Sequence, residues 1–173
     1  MTANGIGAGD CLKATGQREY TIAEVAASQD KSAICNDILR ALPNWFGVEE
    51  SIVDYVAGVA DKHFFAIYDG DAAIGFVSLL VHNPHTAEIY VMGIKDAYHR
   101  QGLGKKIVAI CEDFCRAHNM DFLTVKTLAP TREDANYDKT RMFYTSVGFK
   151  PLEVFPTLWD EANPCLFMAK YVG

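Results

Sequence analysis

The chain has 173 residues, 50% hydrophobic and 22% charged, a balance that builds one ordinary hydrophobic core and excludes a disordered or low-complexity protein. Sixteen Lys and Arg stand against 22 Asp and Glu, a formal net charge of −6, so the surface as a whole repels nucleic-acid phosphate and anionic lipid and suits a cationic or amine ligand. No apolar run approaches the ~18 residues that span a bilayer, and no basic stretch leads an apolar one at the N-terminus. The expectation is a cytoplasmic protein with no nucleic-acid and no membrane partner.

Residues 1–17 carry Gly5, Gly7, Gly9 and Gly16 with little apolar periodicity, and are expected to be a flexible lead-in to a single domain over 18–173. Tyr20, Ile22 and Val25 predict a first strand within 18–25. Ser32 offers a helix cap before Ile34, Ile38 and Leu42, with Pro43 as the stop, and a second helix is expected from about Glu49 to Val59. Asp69-Gly70 is a hairpin signal between His63–Tyr68 and the apolar run Ile74–Val81, which Pro84 ends. Strict alternation over Ala87–Ile94 predicts a third strand with Glu88, Tyr90 and Met92 on one face and Ile89, Val91 and Gly93 on the other.

From Leu103, apolar residues recur at Ile107, Ile110, Cys111, Phe114 and Cys115 while Lys105, Lys106, Glu112, Asp113 and Arg116 oppose them, an amphipathic helix. Asp121–Leu128 reads as a strand and Tyr137–Val147 as a helix closed by Gly148. Phe149–Phe155 and Cys165–Tyr171 read as a closing strand pair, with Trp159, Asp160, Asn163 and Pro164 in the loop between them. Five cysteines, Cys11, Cys35, Cys111, Cys115 and Cys165, contain no C-x-x-C pair, and His63, His82, His85 and His118 have no ligand spacing. Reduced thiols and no metal are expected.

The chemistry is concentrated in Tyr98-His99-Arg100-Gln101-Gly102-Leu103-Gly104-Lys105. Two glycines between a strand and a strong helix let the chain turn tightly and aim backbone N–H groups at an anion on the positive end of the helix. A dinucleotide fingerprint would need glycine at Ile107, and a Walker loop would need Ser or Thr at Lys106. The segment resembles the Q/R-x-x-G-x-G/A signature of the GNAT superfamily, with His99 where Gln or Arg usually stands and Arg100 one residue away. Arg141-Met142-Phe143-Tyr144-Thr145-Ser146-Val147-Gly148-Phe149 resembles that family's F-Y-x-x-x-G-F ending, and the two segments are in family order.

The resemblance, over about 18–172, implies a GNAT-like α/β fold, a mixed, largely antiparallel sheet with helices on both faces. It implies an N-acetyltransferase that moves acetyl from acetyl-CoA to a primary amine of a small molecule, peptide N-terminus or lysine, without a metal. It places the acetyl-CoA pyrophosphate at Arg100, Gln101, Gly102, Leu103, Gly104 and Lys105, the pantetheine and thioester along Met92, Gly93 and Ile94, and the cofactor sulfur at Tyr144. Tyr144 is expected to protonate the departing thiolate and Glu88 to accept the amine's proton. The pantetheine contact on the last helix falls to Asn136 or Tyr137, while Glu49, Glu50, Trp45, Phe46, Tyr55 and Trp159 are candidates for the acceptor pocket. Homodimers are common among such proteins, which sets a homodimer as the assembly to test. The alternative is a non-catalytic acyl-CoA sensor or scaffold.

Overall fold

The computed structural model describes residues 19–173, so the lead-in expected over 1–17, and Cys11 with it, lie outside the described residues. The elements are β1 (Thr21–Glu24), α1 (Ser28–Arg40), α2 (Glu49–Gly58), β2 (His63–Asp69), β3 (Ala72–Asn83), β4 (Thr86–Ile94), α3 (Leu103–Ala117), β5 (Phe122–Leu128), α4 (Ala135–Ser146), β6 (Lys150–Asp160) and β7 (Asn163–Tyr171), with a 3₁₀ turn at Asp96–Tyr98. The seven strands make one sheet in the order β1-β2-β3-β4-β5-β7-β6. Only β4 and β5 run parallel, because the α3 crossover joins them, and every other pairing is antiparallel. No helix among the described residues is long and apolar enough to cross a membrane.

Each face of the sheet carries its own core. Cys35, Ile38 and Leu39 of α1 and Ile52 of α2 cover Phe64, Phe76 and Val91, with the two phenylalanine rings stacked at 5.0 Å. On the other face the α3 stripe Leu103, Ile107, Val108, Cys111, Phe114 and Cys115 meets Ile67, Val77, Leu79 and Ile89, and Phe149 and Tyr144 join from the C-terminal side. A fully buried side chain of this size contributes about 1.5–3 kcal/mol, which fixes both helical layers to the strands between them.

Three expectations need correction. Helix α1 begins at Ser28, capped by no side chain, so Ser32 lies within it and its hydroxyl donates to Val56 O at 2.8 Å, tying α1 to α2. The strands expected to end near Phe155 run on to a tight hairpin, where the Asp160 carboxylate accepts from Asn163 N at 2.8 Å and Nδ2 at 2.9 Å in place of a long loop. Their register breaks between Phe155 and Asp160, where Pro156 cannot donate to the ladder. The strict alternation of β4 also fails. Leu79 pairs with Ile89 and Ser78 with Val91, leaving Tyr90 as an extra residue in a β-bulge. Past it the faces exchange: Val91 and Gly93 join Glu88 and Tyr90 on the α1/α2 side, and Met92 joins Ile89 on the α3 side. Gly93 lies past the bulge. It lets α1 approach, since a Cβ there would lie 3.0 Å from Leu42 and 3.1 Å from Ile38.

Candidate active site

Strands β4 and β5 are paired only from Thr86 to Ile89, against Phe122 to Val125. Beyond Ile89 the two part, and the backbone from Tyr90 to Ile94 has no partner strand on the β5 side. The bulge at Tyr90 sits where the split begins and bends β4 away, as an extra residue does. Met92, Gly93 and Ile94 all lie along the free edge, and the Ile94 carbonyl accepts from His99 Nε2 at 2.5 Å.

The turn after the split is built by backbone geometry. Arg100 and Gly102 both adopt positive φ, 64° and 77°. Gly102 is the N-cap of α3, and no side chain caps the helix. The first backbone N–H of α3 bonded to a carbonyl is that of Lys106, to Gly102 O, so the N–H groups of Leu103, Gly104 and Lys105 are left for a ligand. No acid occupies the first turn, and Arg100, Lys105 and Lys106 are exposed around it. An uncapped helix start ringed by cations suits a diphosphate. The two glycines serve different ends. Gly102 has open space around its missing Cβ and is required by its φ, whereas a Cβ on Gly104 would stand 2.9 Å from the Phe143 ring, so Gly104 lets α3 close on α4. Leu103 offers only its N–H, its side chain being buried, and the Gln101 carboxamide is engaged with Tyr20 and Ala97. His99, though exposed, bonds the Ile94 carbonyl and stands edge-on to the Trp45 ring.

Helix α4 borders the split from the β5 end, capped by Asp134, which accepts from Asn136 N and Tyr137 N. The Tyr137 hydroxyl donates to Trp45 O at 2.9 Å, and Trp45 Nε1 donates to Thr140 at 3.1 Å, so the connection from α1 to α2 is strapped onto α4. Arg141 is held by Leu128 O and Asp138. The half-buried Asn136 carboxamide has no hydrogen-bond partner among the described residues. Tyr144 is buried between Phe143 and Phe149, and its hydroxyl bonds no other described residue. Burial, then Cys111 and the phenols of Tyr137 and Tyr55, push Tyr144 well above an ordinary phenol.

On the opposite face Glu88 is buried at the last but one paired position of β4. Its Oε2 takes two contacts, from Lys126 Nζ of β5 and His82 Nε2 of β3, each at 2.5 Å. Sequence reasoning missed both partners. The available signal was Glu88 itself, because a carboxylate inside an apolar strand demands donors, but nothing in one sequence names them. Glu49 is spent on the exposed Arg40, and Phe46, Tyr55 and Tyr90 form a chain of edge-on rings beside the Glu88 face. Trp159 is exposed at the β6–β7 turn. Cys165 is fully buried, with its thiol pushed up to about 11 by burial.

A seven-stranded mixed sheet that splits between β4 and β5, with helices on both faces, defines an α/β scaffold, and solved structures share that fold. A GNAT-family protein from Desulfovibrio desulfuricans superposes with a TM-score of 0.76 over 90% of this chain and 100% of its own, at 16% identity. An aminoglycoside 6′-N-acetyltransferase complexed with coenzyme A gives 0.70 over 88% and 97%, at 17% identity, and the ribosomal-protein-S18-alanine N-acetyltransferase from Escherichia coli gives 0.70 over 90% and 95%, at 16%. Residues 32–149 match the model of the Acetyltransferase (GNAT) family, and the chain belongs to that family. In sequence it is also similar to mycothiol acetyltransferase from Corynebacterium glutamicum, 36% identical over 58 residues, 34% of this chain and 20% of that protein, so the match spans about a fifth of the relative's length.

Proposed function

We propose that the chain transfers an acetyl group from acetyl-CoA to a primary amine by direct attack in a ternary complex. The observation that carries this reading is the uncapped start of α3 lying directly beside the split between β4 and β5. The N–H groups of Leu103, Gly104 and Lys105 hold the pyrophosphate, Gly102 shapes the turn, and Arg100, Lys105 and the backbone at Gln101 frame it. The free edge Met92–Ile94 pairs with pantetheine and supplies an N–H to the thioester oxygen as negative charge develops there. Asn136, with its carboxamide unspent, is preferred over Tyr137 for the contact from α4.

Glu88 receives a proton from the acceptor's ammonium, the free amine adds to the thioester carbonyl, and the tetrahedral intermediate collapses with cleavage of the C–S bond. The second proton on nitrogen passes to the departing sulfur, so the products are the amide and the thiol. A thiol with an ordinary pKa of about 8.5 is a good leaving group, so Tyr144, held protonated by burial, acts as a hydrogen-bond donor to the sulfur. The acceptor enters from the Glu88 face, past Tyr55 and Tyr90. The similar solved structures named for an aminoglycoside and for ribosomal-protein-S18 alanine motivate the choice of acceptors to test.

The test is thiol release from acetyl-CoA with an aminoglycoside, an alanine-initiated peptide and tyramine, beside calorimetric titration with CoA. Turnover that falls at least about 100-fold in Glu88→Gln, with CoA binding retained, supports the reading. Binding of CoA with no thiol release from any acceptor would favour the sensor reading, and no binding of CoA would refute both.

A further inference from the structure

We propose that Lys126 and His82 are positioning residues that hold Glu88 ionised in the buried floor of the site and reserve its Oε1 for the acceptor's ammonium group. This rests on the reading of Glu88 as the proton acceptor. Both donors converge on one oxygen: Lys126 Nζ and His82 Nε2 each lie 2.5 Å from Oε2. Oε1 has no partner among the described residues. It is not sealed either, since Thr127 Oγ1 alone among the described residues is both fully enclosed and unpartnered. One oxygen is thus saturated and the other open, on a side chain only 7% exposed.

The placement of the donors follows from the split. Glu88 pairs with Thr124, and Lys126 is two residues further along β5, on the same face and just past the last paired residue, Val125. Its ammonium reaches back over the gap and joins the two strands where their backbone ladder ends, with the Phe167 ring 5.9 Å beneath it. His82 comes from the other side, out of the irregular end of β3, and keeps 38% of its side chain exposed. Tyr55 of α2, Tyr90 of β4 and Cys165 of β7 also feel the Glu88 charge, and burial pushes all three upward. Among the described residues, Lys126 and His82 are the basic side chains that contact the Glu88 carboxylate.

A buried carboxylate stripped of its cation takes up a proton, and a neutral Glu88 would neither bind an ammonium nor accept its proton. With Lys126 in place the pair is neutral overall. An ammonium docked on Oε1 then adds one positive charge beside Lys126, which favours its passing a proton to Oε1 and onward to water. The products balance: R–NH₃⁺ and the thioester give the amide, the thiol and one proton.

The variants are Lys126→Met, Lys126→Arg, His82→Gln and Glu88→Gln, each checked by circular dichroism and CoA titration. The first readout needs no acceptor: infrared difference spectra of the protonated-carboxyl band, assigned by its loss in Glu88→Gln. At about pH 6, near the unperturbed range of histidine, the band is expected in Lys126→Met and absent from wild type and Lys126→Arg. With the acceptor most active in the amine screen, turnover by Lys126→Met falls by about tenfold or more at that pH and recovers as pH rises, because a neighbouring charge acts through protonation. His82→Gln loses less, about threefold, its site being half open. Absence of the band in Lys126→Met, a loss equal at every pH, or failure of Lys126→Arg to restore the wild-type state overturns the proposal. If Lys126→Met does not fold, the Lys126→Arg and His82→Gln profiles decide. Wild-type turnover in Glu88→Gln would instead refute the role of Glu88, independently of its neighbours.

Discussion

Gly104→Ala separates packing from backbone conformation in the turn. In an α-helix alanine outranks glycine by up to about 1 kcal/mol, so propensity alone predicts stabilisation. The structure predicts the reverse, because the new Cβ would lie 2.9 Å from one carbon of the Phe143 ring, closer than real Cβ contacts come, and 3.0 Å from another. Overpacking of this kind costs about 1–3 kcal/mol, leaving a net loss of about 1 kcal/mol. The clash disappears if the ring is removed, so Phe143→Leu should recover stability in the Gly104→Ala background. A double-mutant cycle by urea denaturation should give a coupling of at least about 1 kcal/mol for 104 with 143, where independent sites add within about 0.5. Gly102→Ala is the control. Its Cβ meets nothing within 4 Å, and its loss of about 1–2 kcal/mol comes from φ of 77° alone, without coupling to 143. A Gly104→Ala protein as stable as wild type, or equal coupling at both glycines, would refute the assignment of separate causes.

Thr127→Val should leave stability unchanged or raise it by about 1 kcal/mol, since Thr127 Oγ1 is enclosed without a partner and an unsatisfied buried hydroxyl costs about 1–3 kcal/mol; thermal unfolding measures this, and a clear loss would show that the hydroxyl is bonded. Tyr144→Phe should fold normally, its hydroxyl having no partner among the described residues, while turnover drops about tenfold or more. Because burial raises Tyr144 above the ordinary phenol value of about 10, it stays protonated as pH rises, and deprotonation of Tyr144 should produce no fall in wild-type rate below that value. Cys35, Cys115 and Cys165 are buried with thiols raised to about 12, 11 and 11, and Cys111 higher still, so iodoacetamide at about pH 8, below the unperturbed thiol pKa, should label none of the four in the folded protein. Mass spectrometry before and after urea reads the difference.

Periodicity made the amphipathic α3 legible, and the Asp69-Gly70 hairpin was written in a dipeptide whose glycine adopts φ of 58°. The turn Arg100–Lys105 was legible because glycine at a strand-to-helix junction has few other uses. What was not legible depends on tertiary partners. Ser32 looked like a cap because its type suits one, yet it serves as a tie to Val56 from inside the helix. Asp160 and Asn163 resembled loop residues, but their side chains bond each other and close a two-residue turn. The second duty of Gly104 needs Phe143, 39 positions away, and no local pattern carries that distance.

The bulge at Tyr90 limits alternation most sharply, because the same residue pattern predicts opposite faces on its two sides. Strict period-2 reading sets Glu88 with Met92, yet one unpaired residue moves Met92 to the α3 side and puts Glu88 on the face of Gly93. That exchange has a chemical consequence. A flat β4 would continue its ladder with β5 and leave no free edge, whereas the extra residue bends the strand away immediately after Ile89, where pairing stops. The carboxylate then stands on paired, rigid backbone at the foot of the opening, and Met92–Ile94 stand on unpaired backbone along its side. In the proposed reaction the base keeps one position while the thioester edge stays open to a ligand. Deleting Tyr90 should restore the alternation and extend the β4–β5 ladder, closing the opening proposed for the acyl donor.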